Sequence, residues 1–420
     1  MDSQRWNVTM FTRRRRDLKP SLDVLDRRAL LSGFSPAGLS TAYGLNSISF
    51  PTSNGSIAGN GAGQTIALID AFHDSTLSSD LAAFDSRFDL PSPSLTVIDQ
   101  AGGVANSGWT LEEALDVEWA HAMAPEANLV VVEAHSQSRA DLLTAVNTAR
   151  YIPSVSVISM SWGFPEVRNQ ANYDVYFQTP PGHIGITFVA ASGDNGTAGG
   201  VEWPSVSVNV LSVGGTTLST DGFGDYEYET AWSGSGGGYS KFTAEPSYQR
   251  AIQGTGKRST PDVAFAADPN TGVQIYETNP GSSQGFWQVV GGTSLGTPAW
   301  AAIIAIADQG RALEGLGSLD GPSQTIPSIY SFSAGDFHSI PRPAHSSGIN
   351  ANITTGRGTP VGSLLINDLV YHAITADVTT SRAVSAASKA SVKSHAKTSR
   401  TKVATVTARP LVVHELHRPR

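Results

Sequence analysis

The chain changes hydrophobic period repeatedly along its length. Short, almost unbroken apolar runs at residues 65–69, 129–132, 155–160, 186–191 and 208–213 predict strands buried on both faces, since a strand with one wet face would alternate instead. Between them lie stretches with helical spacing, among them residues 141–150 and residues 109–124, the latter stopped by Pro125. This alternation predicts an α/β fold with a mainly parallel central sheet flanked by helices, whose site lies at the carboxyl ends of the strands.

The longest apolar run, residues 299–307, is preceded by Gly291-Gly292-Thr293-Ser294-Leu295-Gly296-Thr297-Pro298. Two glycines allow a tight turn before Ser294, and Pro298 suits a first helical turn, where a missing N–H costs nothing. Ser294 then sits at the positive end of a helix dipole, which favours developing negative charge. The plain alternative is a helix cap. A nucleophilic serine needs a base in hydrogen-bond reach, and none of the ten histidines stands in a setting that offers one.

Carboxylates are offered instead. Glu112 and Asp116 are four apart on the helical stretch, so both lie on one face about a turn apart, a repulsive spacing unless it is used. Two acids sharing a site push one pKa up, which lets Glu112 act as a base oriented by Asp116. The neighbouring acids have simpler readings: Thr110 and Glu113 fit a capping box, and Glu118 faces solvent. Asp194 follows the apolar run ending at Ala191 on a Gly-flanked turn. If protonated, it can donate a hydrogen bond to an oxyanion.

Several segments in the same order resemble the sedolisin family of serine-carboxyl peptidases. They are Glu112-x-x-Leu115-Asp116 with the residues to Ala122, the segments 157–163 and 191–194, Trp232-Ser-Gly-Ser-Gly-Gly-Gly238, the pairs Pro261-Asp262 and Asp268-Pro269, and Gly292-Thr293-Ser294. The likeness covers about residues 35–370. It implies a subtilisin-like fold in a single large domain and an acid-active serine endopeptidase, with Ser294 as nucleophile, Glu112 as base, Asp116 as its partner and Asp194 as oxyanion stabiliser. An acyl-enzyme intermediate and polypeptide substrates go with that reading, and a monomer is expected. Ser161, Gly163, Gly236, Gly237 and Gly238 are the expected substrate-binding positions. Asp70 ends a short apolar strand where a subtilisin carries its catalytic aspartate. Without a matching histidine it reads as support for Glu112, with Trp162 as a wall of the cleft or a core residue. The alternative from another class is an inactive sedolisin-like domain used for peptide binding or adhesion at the cell surface.

The family also implies calcium near the C-terminus and a long N-terminal propeptide. The stretches matching the calcium site contain Ser339, Ile340, Gly348, Asn350 and Asn352, and Ser339 and Asn352 stand where aspartates are expected. Two fewer anionic oxygens predict weak or absent calcium. Only 34 residues precede the expected peptidase domain, 35–375, too few for such a propeptide.

Charge is uneven. The first 34 residues hold eight bases and four acids and residues 376–420 nine and two, so residues 35–375 carry 11 bases against 30 acids, a net −19. Nucleic acid is a poor ligand for such a core, whereas low pH relieves its self-repulsion. Residues 1–34, with Arg13–Arg16, resemble the N-terminal targeting segment of exported proteins of planctomycete-type bacteria, and 376–420 read as a flexible basic tail. Neither a conventional signal peptide nor a transmembrane run is visible, and an extracellular or cell-surface location is expected. The absence of cysteine excludes disulfides and thiol chemistry.

Overall fold

The structure is a computed structural model that describes residues 33–341 and 352–371. The expected N-terminal segment up to residue 32, the basic tail, and the calcium candidates Gly348 and Asn350 lie outside the described residues.

Eight strands form the central sheet: β1 (Thr65–Ala71), β2 (Leu95–Asp99), β3 (Asn128–Ala134), β4 (Val155–Met160), β5 (Thr187–Ala191), β6 (Val210–Thr220), β7 (Tyr226–Ala231) and β8 (Val263–Ala266). The spatial order is β7-β6-β5-β4-β1-β3-β2, with β8 also paired to β6. Every pairing is parallel except the β6–β7 hairpin. Five of these strands coincide with the five apolar runs, and they extend past them because Asp70 and Glu133, though charged residues, belong to fully covered strands.

Helices cover both faces. Alternate residues of one strand enter different cores, as the two-residue period requires. Ile66 and Leu68 join the core containing α1 (Leu77–Phe88), α2 (Ser107–Met123) and α4 (Thr293–Leu313), whereas Ala67 and Ile69 join the core containing α3 (Arg139–Ala149). Leu129 and Val131 of β3 share the first face. By the same alternation Asp70 and Glu133 turn toward α2, where the candidate acids lie.

The helix α4 is buried from Thr293 through Arg311, so it is a core helix and not an amphipathic surface one. Its second turn corrects one expectation. The helix starts at Thr293, with Gly292 as N-cap, so Pro298 lies inside it and not in the first turn. Proline removes the N–H that would have bonded the Ser294 carbonyl. The Ser161 hydroxyl approaches that carbonyl instead, at 3.4 Å. Short antiparallel pairs such as Val273–Glu277 with Phe286–Val290 were not signalled by the hydrophobic pattern.

Candidate active site

Gly292 has φ +132°, a backbone conformation that glycine adopts without strain, and this turn delivers Ser294 to the second position of α4. An N–H there has no intrahelical acceptor, so the helix end favours negative charge beside the serine. The Ser294 residue is 7% exposed, at the edge of a cleft.

The helix α2 begins earlier than the capping-box reading requires. Its N-cap is Asn106, whose side chain accepts from the N–H groups of Gly108 and Trp109. Thr110 and Glu113 are therefore interior positions, and Glu113 is buried, not part of a cap. Glu118, expected at the solvent, is buried too and accepts the Tyr276 N–H. From Glu112 to Met123 every residue of the helix is buried, so its acids have no wet face to occupy.

Glu112 and Asp116 are both fully buried. Burial pushes the Glu112 carboxyl well above its ordinary range, and the charges of Asp70 and Asp194 push the same way, while the Ser294 hydroxyl opposes them. The serine is thus close enough to stabilise an ionised Glu112, although neither Glu112 oxygen has a fully formed hydrogen bond. We read this as an approach that a bound peptide would tighten. Asp116 is raised by burial, then by Asp70 and Glu112, and it accepts a 2.8 Å hydrogen bond from Ser161 Oγ. Ser161, a predicted substrate contact, therefore also orients Asp116. Asp70 is fully buried with no partner on either oxygen, and burial and Glu133 raise it to about 8.

Asp194 stands on the turn after β5. Its Oδ1 accepts from both the N–H (2.8 Å) and the hydroxyl (2.7 Å) of Thr293, which anchors the acid to the N-terminus of α4 beside the serine. The preceding Gly193 has φ +103°, and a Cβ there would lie 2.7 Å from the Glu202 carboxyl carbon. Gly236 packs behind this turn, donating to the Gly193 carbonyl at 2.6 Å. Gly237 faces the Ile353 and Thr260 carbonyls, and Gly238 begins the next strand.

The cleft has a volume of about 90 Å³, and Ser294, Asp194, Ser161, Trp162 and Gly163 line it together. No histidine is among its lining residues. Trp162 is held by a 3.1 Å hydrogen bond from its indole N–H to the Ile69 carbonyl and packs on Phe164 and Trp203. Sequence reasoning missed Thr293 as the anchor of Asp194 and missed Glu202 altogether. Glu202 lines the cleft, and burial followed by the Asp194 charge raises it to about 7. The β-bridge of Phe164–Pro165 with Glu202–Trp203 brings it there, and no motif announces it.

Among the described residues, the calcium candidates offer few free anionic oxygens. Asn352 Oδ1 is engaged by the Thr354 N–H and hydroxyl and by the Thr355 N–H, and its amide also faces the Ile340 carbonyl at 3.5 Å. Asp336, three residues before Ser339, supplies the one carboxylate of residues 336–340.

A family model described as the subtilase family matches residues 100–316. The chain belongs to the subtilase family. The chain is also similar to sedolisin-type peptidases. Kumamolisin from Bacillus sp. (strain MN-32) is 29% identical over 406 residues, spanning 85% of this chain and 67% of the relative. Sedolisin from Pseudomonas sp. (strain 101) is 29% identical over 363 residues, spanning 77% of this chain but 60% of the relative. Human tripeptidyl-peptidase 1 is 26% identical over 84% of this chain and 67% of its own length. The chain thus spans only about three fifths to two thirds of these polypeptides. The solved structure of Pseudomonas sedolisin, a serine-carboxyl proteinase complexed with two molecules of pseudo-iodotyrostatin, superposes with a TM-score of 0.68 at 27% identity, covering 80% of this chain and 97% of that one. The fold is subtilisin-like, and the likeness supports a serine peptidase.

Proposed function

We propose that this chain is an acid-active serine endopeptidase in which carboxyl groups do the work of the missing histidine. The observation that supports the reading is that Ser294 and Asp194 line one cleft while the fully buried Glu112 lies against Ser294 behind it. The serine lies at a helix N-terminus, the facing acid is buried without a cation, and a second acid is anchored beside it by Thr293.

In the proposed reaction Ser294 Oγ attacks the peptide carbonyl as Glu112 takes its proton, and Glu112 then returns that proton to the departing amine. Water repeats the cycle on the acyl-enzyme. Glu112 must therefore be ionised when the peptide arrives. Burial and mutual repulsion among Glu112, Asp116 and Asp70 disfavour more than one negative charge in this group, so the other two hold protons while one is charged. Asp194 in its protonated form donates to the oxyanion. Such a site gains activity as the raised Glu112 ionises and fails when a further carboxyl does. Gly163 and the turn Gly236–Gly238 flank the bound peptide, and an exported location suits the activity.

The alternative of an inactive peptide-binding domain gains nothing from the relatives. Relatives named tripeptidyl-peptidase 1 make the mode of cleavage the point to test. A peptide blocked at both ends, incubated at pH 4 and mapped by mass spectrometry, is expected to be cut internally by the wild type and left whole by Ser294→Ala. If the wild type left the blocked peptide whole while releasing tripeptides from the same peptide with a free N-terminus, the endopeptidase reading would fail, and cleavage by Ser294→Ala would overturn the nucleophile.

A further inference from the structure

A second cluster of ligating side chains lies one strand away from the catalytic acids. Asp99, at the end of β2, and Glu133, on β3, are directly paired in register, and Asp70 pairs with Glu133 from the other side. His73 follows β1 on the adjoining loop. Its Nδ1 lies 2.8 and 3.0 Å from the two Glu133 oxygens and 3.9 Å from Asp99 Oδ2. The three residues thus stand at the carboxyl ends of three adjacent parallel strands, where α/β sheets present their sites.

We propose that His73, Asp99 and Glu133 bind a divalent transition-metal ion of the zinc or manganese class. One ligand atom from each residue falls within 4.8 Å of the others. Ligands of a tetrahedral ion with bonds of about 2.1 Å lie about 3.4 Å apart, so a set spread over at most 4.8 Å closes by contracting up to about 1.4 Å. His73, with a side chain 26% exposed on the loop after β1, can make that movement, whereas Asp99 is held in place by two backbone N–H groups. An imidazole with two carboxylates selects zinc or manganese over calcium, which takes six to eight oxygens.

Independent support comes from what surrounds the cluster. Asp74 is 6% exposed, and its N–H donates to Glu133 Oε1 at 3.0 Å. Its Oδ1 accepts from Thr76, but its buried Oδ2 has no hydrogen-bond partner, and its charge is felt by His73. Asp70 and Glu113 add further buried carboxyl oxygens without partners beside Glu133. Among the described residues no lysine or arginine pairs with any of these acids. Among the described residues only His73, when protonated, sets a positive charge against these acids, and a bound ion adds charge while tying the loop after β1 to the ends of β2 and β3. Asp99 is already oriented by accepting the N–H groups of Gly102 and Gly103 at 2.7 and 2.9 Å, the outer support that a metal ligand needs.

The test needs no substrate and is independent of the peptidase reading. The full chain at pH 7 is titrated with zinc chloride by calorimetry and with cobalt chloride by visible absorption. One equivalent should bind, with affinity reduced at least tenfold in His73→Ala and in Asp99→Asn, both of which alter partly exposed side chains and should leave the far-ultraviolet circular dichroism unchanged. Absence of stoichiometric binding would overturn the proposal. So would binding that is undiminished in both variants, which would place the ion at other histidines or acids.

Discussion

Asp70→Asn tests the electrostatic account where its effect is largest. The carboxyl is fully buried, has no hydrogen-bond partner and is raised to about 8, first by burial and then by the charge of Glu133. In the unfolded chain its pKa returns to about 3.9. A carboxyl raised by folding leaves stability intact below the unfolded value and drains it as pH rises toward the folded value. Each intervening pH unit costs about 1.4 kcal/mol, so the three units from pH 4 to pH 7 cost on the order of 4 kcal/mol. Asparagine has the same shape and cannot ionise, so it removes that slope. The measurement is urea unfolding at pH 4 and pH 7 in a Ser294→Ala background, which suppresses self-digestion. Any fixed cost of burying the amide appears at both pH values and cancels in the comparison. The stability of Asp70→Asn relative to its parent should improve by up to about 4 kcal/mol between pH 4 and pH 7. A difference that is the same at both pH values would refute the reasoning.

Asp194→Ala should lower kcat by about 10²- to 10³-fold, the usual loss for one oxyanion donor, while Asp194→Asn keeps a donor and should retain more activity than the alanine variant. Glu202, raised to about 7, is neutral at acidic pH and ionises above it. The ratio of kcat/KM for arginine-containing over matched glutamine-containing peptides should therefore rise roughly two- to fivefold between pH 5 and pH 7.5, the range expected of a solvated ion pair. Glu202→Gln should flatten that ratio, and an unchanged rise would remove Glu202 from substrate selection.

The strands were legible because both-face burial leaves a continuous apolar run, and the runs at 65–69, 129–132 and 155–160 each became part of the parallel sheet. Ser294, Glu112, Asp116 and Asp194 were legible as a set through a family resemblance; their roles remain proposals, but the structure brings them to one place. Local rules failed where the surroundings override them. A capping box at Thr110 and a solvent-facing Glu118 both assume that α2 has a wet side, and from Glu112 to Met123 it has none. The first-turn rule misplaced Pro298 because the helix begins at Thr293, before its apolar run. Glu202 reaches the cleft through a two-residue strand pairing that leaves no mark on local periodicity.

The most direct test of the central claim is the pH dependence of kcat/KM from pH 3 to pH 8 on a denatured protein substrate, for the wild type and for Glu112→Gln. A carboxylate base predicts an acidic maximum for the wild type and a loss of about 10³-fold or more in the variant, with the near-ultraviolet circular dichroism unchanged. A neutral maximum, or wild-type cleavage by folded Glu112→Gln, would contradict it.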